Sequence, residues 1–394
     1  MTQLDHDSNP ALCDAIARQI AASPQKRITF AQYMEAALYH PQYGYYATKA
    51  INIGQQGDFF TSPHLGTDFG ELLAEQFVQM WEIIGRQQFT LVEIGAGQGI
   101  LAADILGYLK RHYPDFFAAL EYIIVEKSTA LQHEQQQRLK NLPIKWCSLK
   151  EIATDSIIGC CFSNELVDAL PVHQFIIEAG QLREIYVTIQ EKASTNPIAS
   201  FVEGIGKLST PQLAKYFDLV KIALPSSTYP DGYRSEVNLA ALDWLKMVSS
   251  RLQRGYLLTI DYGYPAHRYY NPMRSQGTLQ CYYRHLHHNN PYINIGRQDI
   301  TAHVDFTALQ RWGEVCGLDN LGFTQQGLFL MALGLGDRIA ALSTSSPQSI
   351  QQLLQQREAL HQLLAPTGLG GFGVLVQSKN LTEAETASSL KGLK

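Results

Sequence analysis

Glu93, Gly95, Gly97 and Gly99 form the first constellation with chemical meaning: an acid closing an apolar run, then three alternating glycines. Residues 89–94 read as a strand and residues from Leu101 to Arg111 as a helix, so the four occupy the turn of a βα unit. Glycine lets backbone approach a ligand, and the helix N-terminus presents unpaired N–H donors. A dinucleotide loop reads G-x-G-x-x-G, whereas position 100 here is Ile and the third glycine falls one residue early. Glu93 would also repel a pyrophosphate. An acid at that place suits a cationic ligand, and S-adenosylmethionine (SAM) carries both a sulfonium and an amino group.

Two further strand ends supply polar groups. The strand Tyr122–Glu126 puts Glu126 beside the glycine turn, where it can accept both hydroxyls of a ribose. The strand Ile157–Ser163 runs into Asn164-Glu165-Leu166-Val167-Asp168, which places an amide and two carboxylates on one short turn. Such a group suits hydrogen bonding to a nitrogen nucleophile and stabilises positive charge growing on an amine or guanidine. Methyl transfer is an in-line displacement, so positioning supplies most of the help. Ligands in open α/β sheets bind outside the C-terminal strand ends, and Glu93, Glu126, Asn164, Glu165, Asp168 and Asp261 are expected to converge there. His285-x-His287-His288 lacks a carboxylate or cysteine at ligand spacing, so no metal site is expected. Asp305 is expected to cap the helix that follows it.

The elements that must hold these groups follow from patterning. Residues 11–40 read as two amphipathic helices broken around Ser23-Pro24, and a third helix runs from about Phe69 to Ile84. After the strands already named come a helix at about 129–139, a short strand Ile144–Cys147, and a hairpin of Val172–Glu178 and Leu182–Gln190 turning at Ala179-Gly180. A helix Leu239–Leu252, a strand Tyr256–Ile260, a helix Phe306–Val315 and strands Asn320–Thr324 and Phe372–Gln377 complete the core, with helical segments near 328–342 and 347–364. Residues 39–63 and 264–300, rich in aromatics, Gly, Pro, His and Asn, read as long ordered loops over the site. With 394 residues, 45% of them hydrophobic, the chain can bury a large core. A net charge of −5 gives no basic footprint for nucleic acid. Six scattered cysteines without metal or disulfide spacing fit a reducing compartment. No signal-like or membrane-spanning run is visible, so a cytoplasmic location is expected.

Taken together, these residues resemble the MidA-like methyltransferase family, which includes the mitochondrial complex I assembly methyltransferase. The resemblance spans about residues 28–378. It rests on Tyr33-Met34 with Gly44-Tyr45-Tyr46, Gly57-Asp58-Phe59-x-Thr61-Ser62-Pro63 with Phe69-Gly70-Glu71, and the Glu93 glycine loop. It continues through Asn164-Glu165-x-x-Asp168-Ala169-Leu170-Pro171, Gly232 with Glu236, Asp261-Tyr262-Gly263, and Asp299-x-Thr301-Ala302-His303-Val304-Asp305-Phe306. It implies an α/β fold: a class I SAM-methyltransferase, Rossmann-like seven-stranded core with N-terminal helices and an inserted α+β subdomain. The divisions expected are 1–88, 89–171, 172–237 (the insertion), 238–378, and a disordered tail at 379–394.

By the same resemblance Asp58, Thr61 and Ser62 join Glu93, Gly95, Gly97, Gly99 and Glu126 in binding cofactor, and Glu236 joins Asn164, Glu165 and Asp168 in catalysis. It implies SAM as cofactor and a protein arginine as acceptor, on a subunit of respiratory complex I or an analogous dehydrogenase. Two departures stand out: His64 where the family usually has Glu, which would bear on acceptor choice, and Thr129 where it usually has Pro. Two other readings share parts of the pattern: a SAM-binding scaffold without turnover, and a nicotinamide-dependent oxidoreductase.

Overall fold

The computed structural model describes residues 7–48, 61–190, 199–284, 286–342 and 350–394. Its centre is a seven-stranded sheet. The strands, in chain order, are β1 Phe89–Ile94, β2 Leu120–Val125, β3 Ile144–Cys147, β4 Ile157–Asn164, β5 Leu252–Asp261, β6 Asp319–Gln325 and β7 Gly373–Lys379. Across the sheet they run β6-β7-β5-β4-β1-β2-β3. Neighbours from β3 to β5 pair in parallel, and β7 is antiparallel to both β5 and β6. Strands buried on both faces must be apolar throughout, which is why β1 reads as a continuous buried run and still carries a buried acid, Glu93. Gly159 of β4 packs so tightly on β1 that an added Cβ would lie 2.1 Å from the Thr90 carbonyl oxygen.

One face of the sheet is covered by the helices Asp68–Ile83 and Ile100–His112, whose Leu72, Phe77, Met80, Ile105 and Leu109 are fully buried. Phe77 meets Phe162 of β4 at 5.0 Å between ring centroids. The helices Leu239–Arg251 and Phe306–Val315 cover the other face through Leu245, Val248 and Leu309. Asp305 caps the second of these, accepting from the N–H groups of Thr307 and Ala308, as its position in the sequence indicates.

The hairpin expected at 172–190 is present as His173–Glu178 and Gln181–Ile189. It belongs to a five-stranded sheet that also takes in Phe201–Gly206, Arg234–Val237 and, from the N-terminus, Arg27–Thr29. The helices Pro10–Ala22 and Phe30–Tyr39 pack on this second sheet in a shared apolar cluster with Ile295 and Ile300.

Two expectations are corrected. Residues 264–300 are not simply loop: Gln280–Tyr283, Leu286–His288 and Asp299–Thr301 form a three-stranded antiparallel sheet, and Gly263–Tyr264 pairs with Val304–Asp305. Each strand is too short for alternation to show, and Gln280 finds its partner far along the chain at Thr301. The tail at 379–394 is ordered rather than disordered. Thr382 and Glu385 form a capping box, Glu385 pairs with Arg254, Leu390 is buried, and Gln76 and Gln79 accept from the Gly392 and Lys391 N–H groups at 2.9 and 2.7 Å. A single buried leucine in a polar stretch leaves no periodic signal.

Removing residues 383–394 should therefore cost stability. Loss of the Leu390 burial and of the caps on Gln76 and Gln79 amounts to about 2–4 kcal/mol. Differential scanning calorimetry should show a Tm lowered by about 2–5 °C; an unchanged Tm would mean the tail contributes nothing.

Candidate active site

Two cavities lie at the C-terminal ends of the parallel strands. The smaller, about 140 Å³, is lined by Glu93, Gly95, Gly97, Glu126, Asn164 and Glu165, with Thr61 and His64 on the far side. The larger, about 840 Å³, is lined by Asp168, Tyr262, Tyr282, Asp299, Thr301 and His303 among others. Tyr46 and Glu165 line both, so the two spaces meet at those side chains.

The glycine turn is held by a hydrogen bond from the Gly95 N–H to the Val125 carbonyl, 2.9 Å, which links β1 to the end of β2. Gly97 has φ +53° and open space where a Cβ would stand, so the backbone is bare toward the small cavity. Glu93 is buried and accepts from the Tyr122 hydroxyl at 2.6 Å. Burial pushes its carboxyl up to about 7, the Tyr122 bond opposes this, and the charge of Glu126 adds to it. Glu126 accepts from the Ser128 N–H at 2.8 Å and from Gln135 Nε2 at 3.1 Å. Gln135 also donates to the Gly97 carbonyl at 2.8 Å, so one amide sets both the acid and the glycine turn. Burial raises Glu126 as well.

The turn after β4 joins the cavities. Asp261, at the end of β5, accepts through Oδ2 from the N–H groups of Leu166, Val167 and Asp168 at 3.2, 2.8 and 3.3 Å. Glu165 adopts φ +51°, a left-handed backbone that a non-glycine residue keeps only where its surroundings impose it. Its carboxylate accepts from Asn164 Nδ2 at 3.2 Å and from the Ser62 N–H at 3.4 Å. Burial, then the charge of Asp168, pushes Glu165 up to about 8. Burial pushes Asp168 up to about 6, while the Tyr262 hydroxyl pulls it back. The buried oxygens Asn164 Oδ1 and Asp168 Oδ1 have no partner among the described residues, and both belong to side chains facing the cavities. Such buried acceptors are open to a donor, whether ordered water or a bound ligand.

Of the residues singled out from sequence, Glu93, Gly95, Gly97, Glu126, Thr61, Asn164 and Glu165 line the small cavity, and Asp168 with Glu165 lines the large one. Gly99 caps the following helix with φ +74° and packs against Leu139 rather than facing the cavity. Ser62 is buried behind the wall, its Oγ accepting from Gln326 Nε2 at 3.0 Å. Asp58 lies outside the described residues. Glu236 is a correction. It lines neither cavity; its buried carboxylate accepts from the Thr278 N–H and hydroxyl at 2.9 and 3.0 Å and holds the Gly277–Leu279 turn. Thr278 Oγ1 in turn accepts from the His303 N–H at 3.1 Å, so Glu236 supports the cavity wall from behind. His64 lines the small cavity and not the large one, its Nδ1 2.7 Å from Thr61 Oγ1. His285 lies outside the described residues, and among the described residues no three His, Cys, Asp or Glu side chains group as metal ligands.

Sequence reasoning left the larger cavity's walls unassigned. Tyr46 donates to Asp299 Oδ1 at 3.1 Å and Tyr262 to Thr301 Oγ1 at 2.5 Å, building an aromatic and acidic lining. Tyr46, Tyr262 and Asp299 all lie inside strings already singled out, and clustering of aromatics with acids on the predicted loops was the available signal.

A Rossmann-like seven-stranded core with acids at the ends of β1 and β2 and a bare glycine turn between them defines a class I SAM-dependent methyltransferase. The family model described as "Putative S-adenosyl-L-methionine-dependent methyltransferase" matches residues 72–324, and the chain belongs to this family. A solved structure from Burkholderia thailandensis, bound to S-adenosyl-homocysteine, is 30% identical with a TM-score of 0.81, covering 97% of this chain and 94% of that one. The mitochondrial protein arginine methyltransferase NDUFAF7 of Mus musculus is 29% identical over 83% of this chain and 76% of its own length. The homolog of Drosophila melanogaster is 28% identical over 87% and 79%. The MidA-like resemblance therefore stands, and the cofactor is SAM. These relatives are mitochondrial by name, which overturns the expectation of a cytoplasmic location.

If Glu93 faces the cationic cofactor, as its position in the smaller cavity suggests, SAM binding is expected to depend on pH. Its folded value lies above its unfolded one, so its contribution to stability is complete below the unfolded value and is lost as pH rises through about 7. A cationic ligand prefers the ionised form, so affinity for SAM should rise about tenfold between pH 6 and 8. Titration calorimetry on Glu93→Gln should show that rise flattened relative to wild type; an equal pH dependence in both would remove Glu93 from contact with the ligand's charge.

Proposed function

We propose that this methyltransferase modifies an arginine side chain of a protein, and that the protein is a subunit of a respiratory NADH or NAD(P)H dehydrogenase. The observation that carries the reading is the meeting of the two cavities at Glu165, with Asp168 and Asp299 on the acceptor side. A guanidinium is planar, cationic and rich in donors, and carboxylates flanked by tyrosines match it. The names of the NDUFAF7 relatives support arginine as the acceptor. The dehydrogenase assignment rests on the family resemblance.

SAM, when bound, supplies an electrophilic methyl group on a sulfonium. In the proposed arrangement Glu93 and Glu126 hold its amino group and ribose, the Gly95–Gly97 turn lets it approach the backbone, and Asn164 Oδ1 accepts from it or from the acceptor. Glu165 and Asp168 orient the guanidinium so that one nitrogen lone pair points along the transfer axis. As that nitrogen gains the methyl group, the methyl–sulfur bond would break with its electron pair left on sulfur as a neutral thioether, and the proton that the nitrogen must lose would pass to Asp168 or Glu165. Burial and the charge of Asp168 raise Glu165 to about 8, above Asp168 at about 6, so Glu165 can stay neutral while Asp168 is charged until the guanidinium arrives. Tyr262, Tyr282 and Tyr46 narrow the route and limit water near the reacting nitrogen.

Incubation of the enzyme with purified dehydrogenase subunits and labelled SAM, followed by mass spectrometry, should place the label on arginine. Label confined to small metabolites would contradict the reading. Asp168→Ala should bind SAM within a few-fold of wild type and methylate at least about a hundredfold more slowly, because the carboxylate acts mainly in the transition state. Parallel loss of SAM affinity and activity would make Asp168 a residue of the cofactor site or of the fold.

A further inference from the structure

The larger cavity is divided by charge with depth. Asp168 and Asp299 are buried and Glu165 is half-buried, whereas the wall on another side carries the exposed Arg268. The half-buried Arg274, outside the cavity lining itself, stands beside Arg268. Both guanidiniums lie over the ring of Tyr264, at 5.0 and 4.5 Å from its centroid, and that ring stacks on His303 at 5.2 Å and 15°. Arg274 is fixed by donating to the carbonyls of Arg268 and Tyr269, at 2.9 and 3.3 Å. Neither guanidinium pairs with a carboxylate among the described residues. Arg234 and Arg338, by contrast, each pair with acids at 2.7 Å. Two like charges on one ring repel each other, and an anion placed between them relieves that repulsion.

We propose that Arg268 and Arg274 form a specificity element that reads a carboxylate side chain close to the target arginine in the acceptor protein. The proposal rests on the protein-arginine reading above and adds which arginines are chosen. An arginine side chain would be repelled by the guanidinium pair and drawn to the buried carboxylates, so the charge division orients the segment as well as selecting it. A cavity of about 840 Å³ is roughly 12 Å across, which an extended chain covers in about three to four residues. The acidic residue should therefore stand within about four positions of the arginine.

The test uses the full-length enzyme, tritiated SAM and synthetic peptides with one central arginine and Glu, Gln or Lys at each of the four positions on either side. Wild-type enzyme should methylate the best Glu peptide with a kcat/KM at least about fivefold above its Gln counterpart. The difference should lie in KM and shrink as ionic strength rises. In Arg268→Glu the preference should fall or invert toward the Lys peptide. Arg268 is exposed and its guanidinium has no hydrogen-bond partner among the described residues, so this variant should fold; unchanged SAM affinity serves as the check. Arg274→Gln gives a second reading of the same preference. Equal use of Glu and Gln peptides by wild type, or a preference that survives both substitutions, would overturn the proposal while leaving the protein-arginine reading intact. Methylation of no peptide by an enzyme that binds SAM would contradict the arginine reading and the proposal with it.

Discussion

The carboxylate of Asp261 holds the site together. It is fully buried, and burial together with the charges of Asp168 and Glu165 pushes it upward. A buried carboxylate persists only where hydrogen bonds compensate its lost hydration. Here three successive N–H groups of the turn after β4 converge on one oxygen, and the Tyr262 N–H donates to the other at 2.9 Å. Those bonds fix Leu166, Val167 and Asp168, and with the Glu165 N–H bonded to the Ile260 carbonyl at 2.9 Å they hold Glu165 in its left-handed conformation. The side chain where the cavities meet is thus aimed by the neighbouring strand. Parallel pairing of β4 with β5 is what brings an acid of one strand end beneath the turn of the other.

A second consequence follows from how the rest of the chain is placed. The ends of strands β1, β2 and β4 line the smaller cavity, proposed for the cofactor, and they come from one continuous stretch. The larger cavity, proposed for the acceptor, is assembled from distant pieces: Tyr46 from the N-terminal region, Asp299 and Thr301 from a small sheet, and Phe372 from the approach to β7. Ala302 donates to the Asp168 carbonyl at 2.9 Å, and Tyr39 donates to that of Ala169 at 3.0 Å, so these pieces are stitched to the same turn. One loop therefore fixes the walls of both cavities.

The cofactor half was legible because its signals are local. Glu93 and the glycines are neighbours, and Glu126 ends the next strand, so order along the chain is order in space. Asn164, Glu165 and Asp168 share one turn and were visible for the same reason. The acceptor half was legible only as loops of unusual composition, because Gln280 and Thr301, or Tyr46 and Asp299, meet through tertiary pairing that no periodicity encodes. Glu236 shows the opposite failure. A charged residue in a specific string invites a catalytic role, yet its partners are Thr278 and Tyr269, and nothing in its type separates a buried brace from a reactive acid. The ordered tail was missed because one leucine, Leu390, and a few backbone caps leave no pattern.

The proposed transfer needs two substrates in two joined spaces that share Glu165. A crystal structure of the ternary complex with S-adenosylhomocysteine and an arginine-containing peptide addresses this most directly. The sulfur should lie in the smaller cavity beside the Gly95–Gly97 turn, and the guanidinium should enter from the larger one to within hydrogen-bond distance of Glu165 and Asp168. A guanidinium bound elsewhere, or both ligands crowded into the larger cavity with the glycine turn bare, would contradict it.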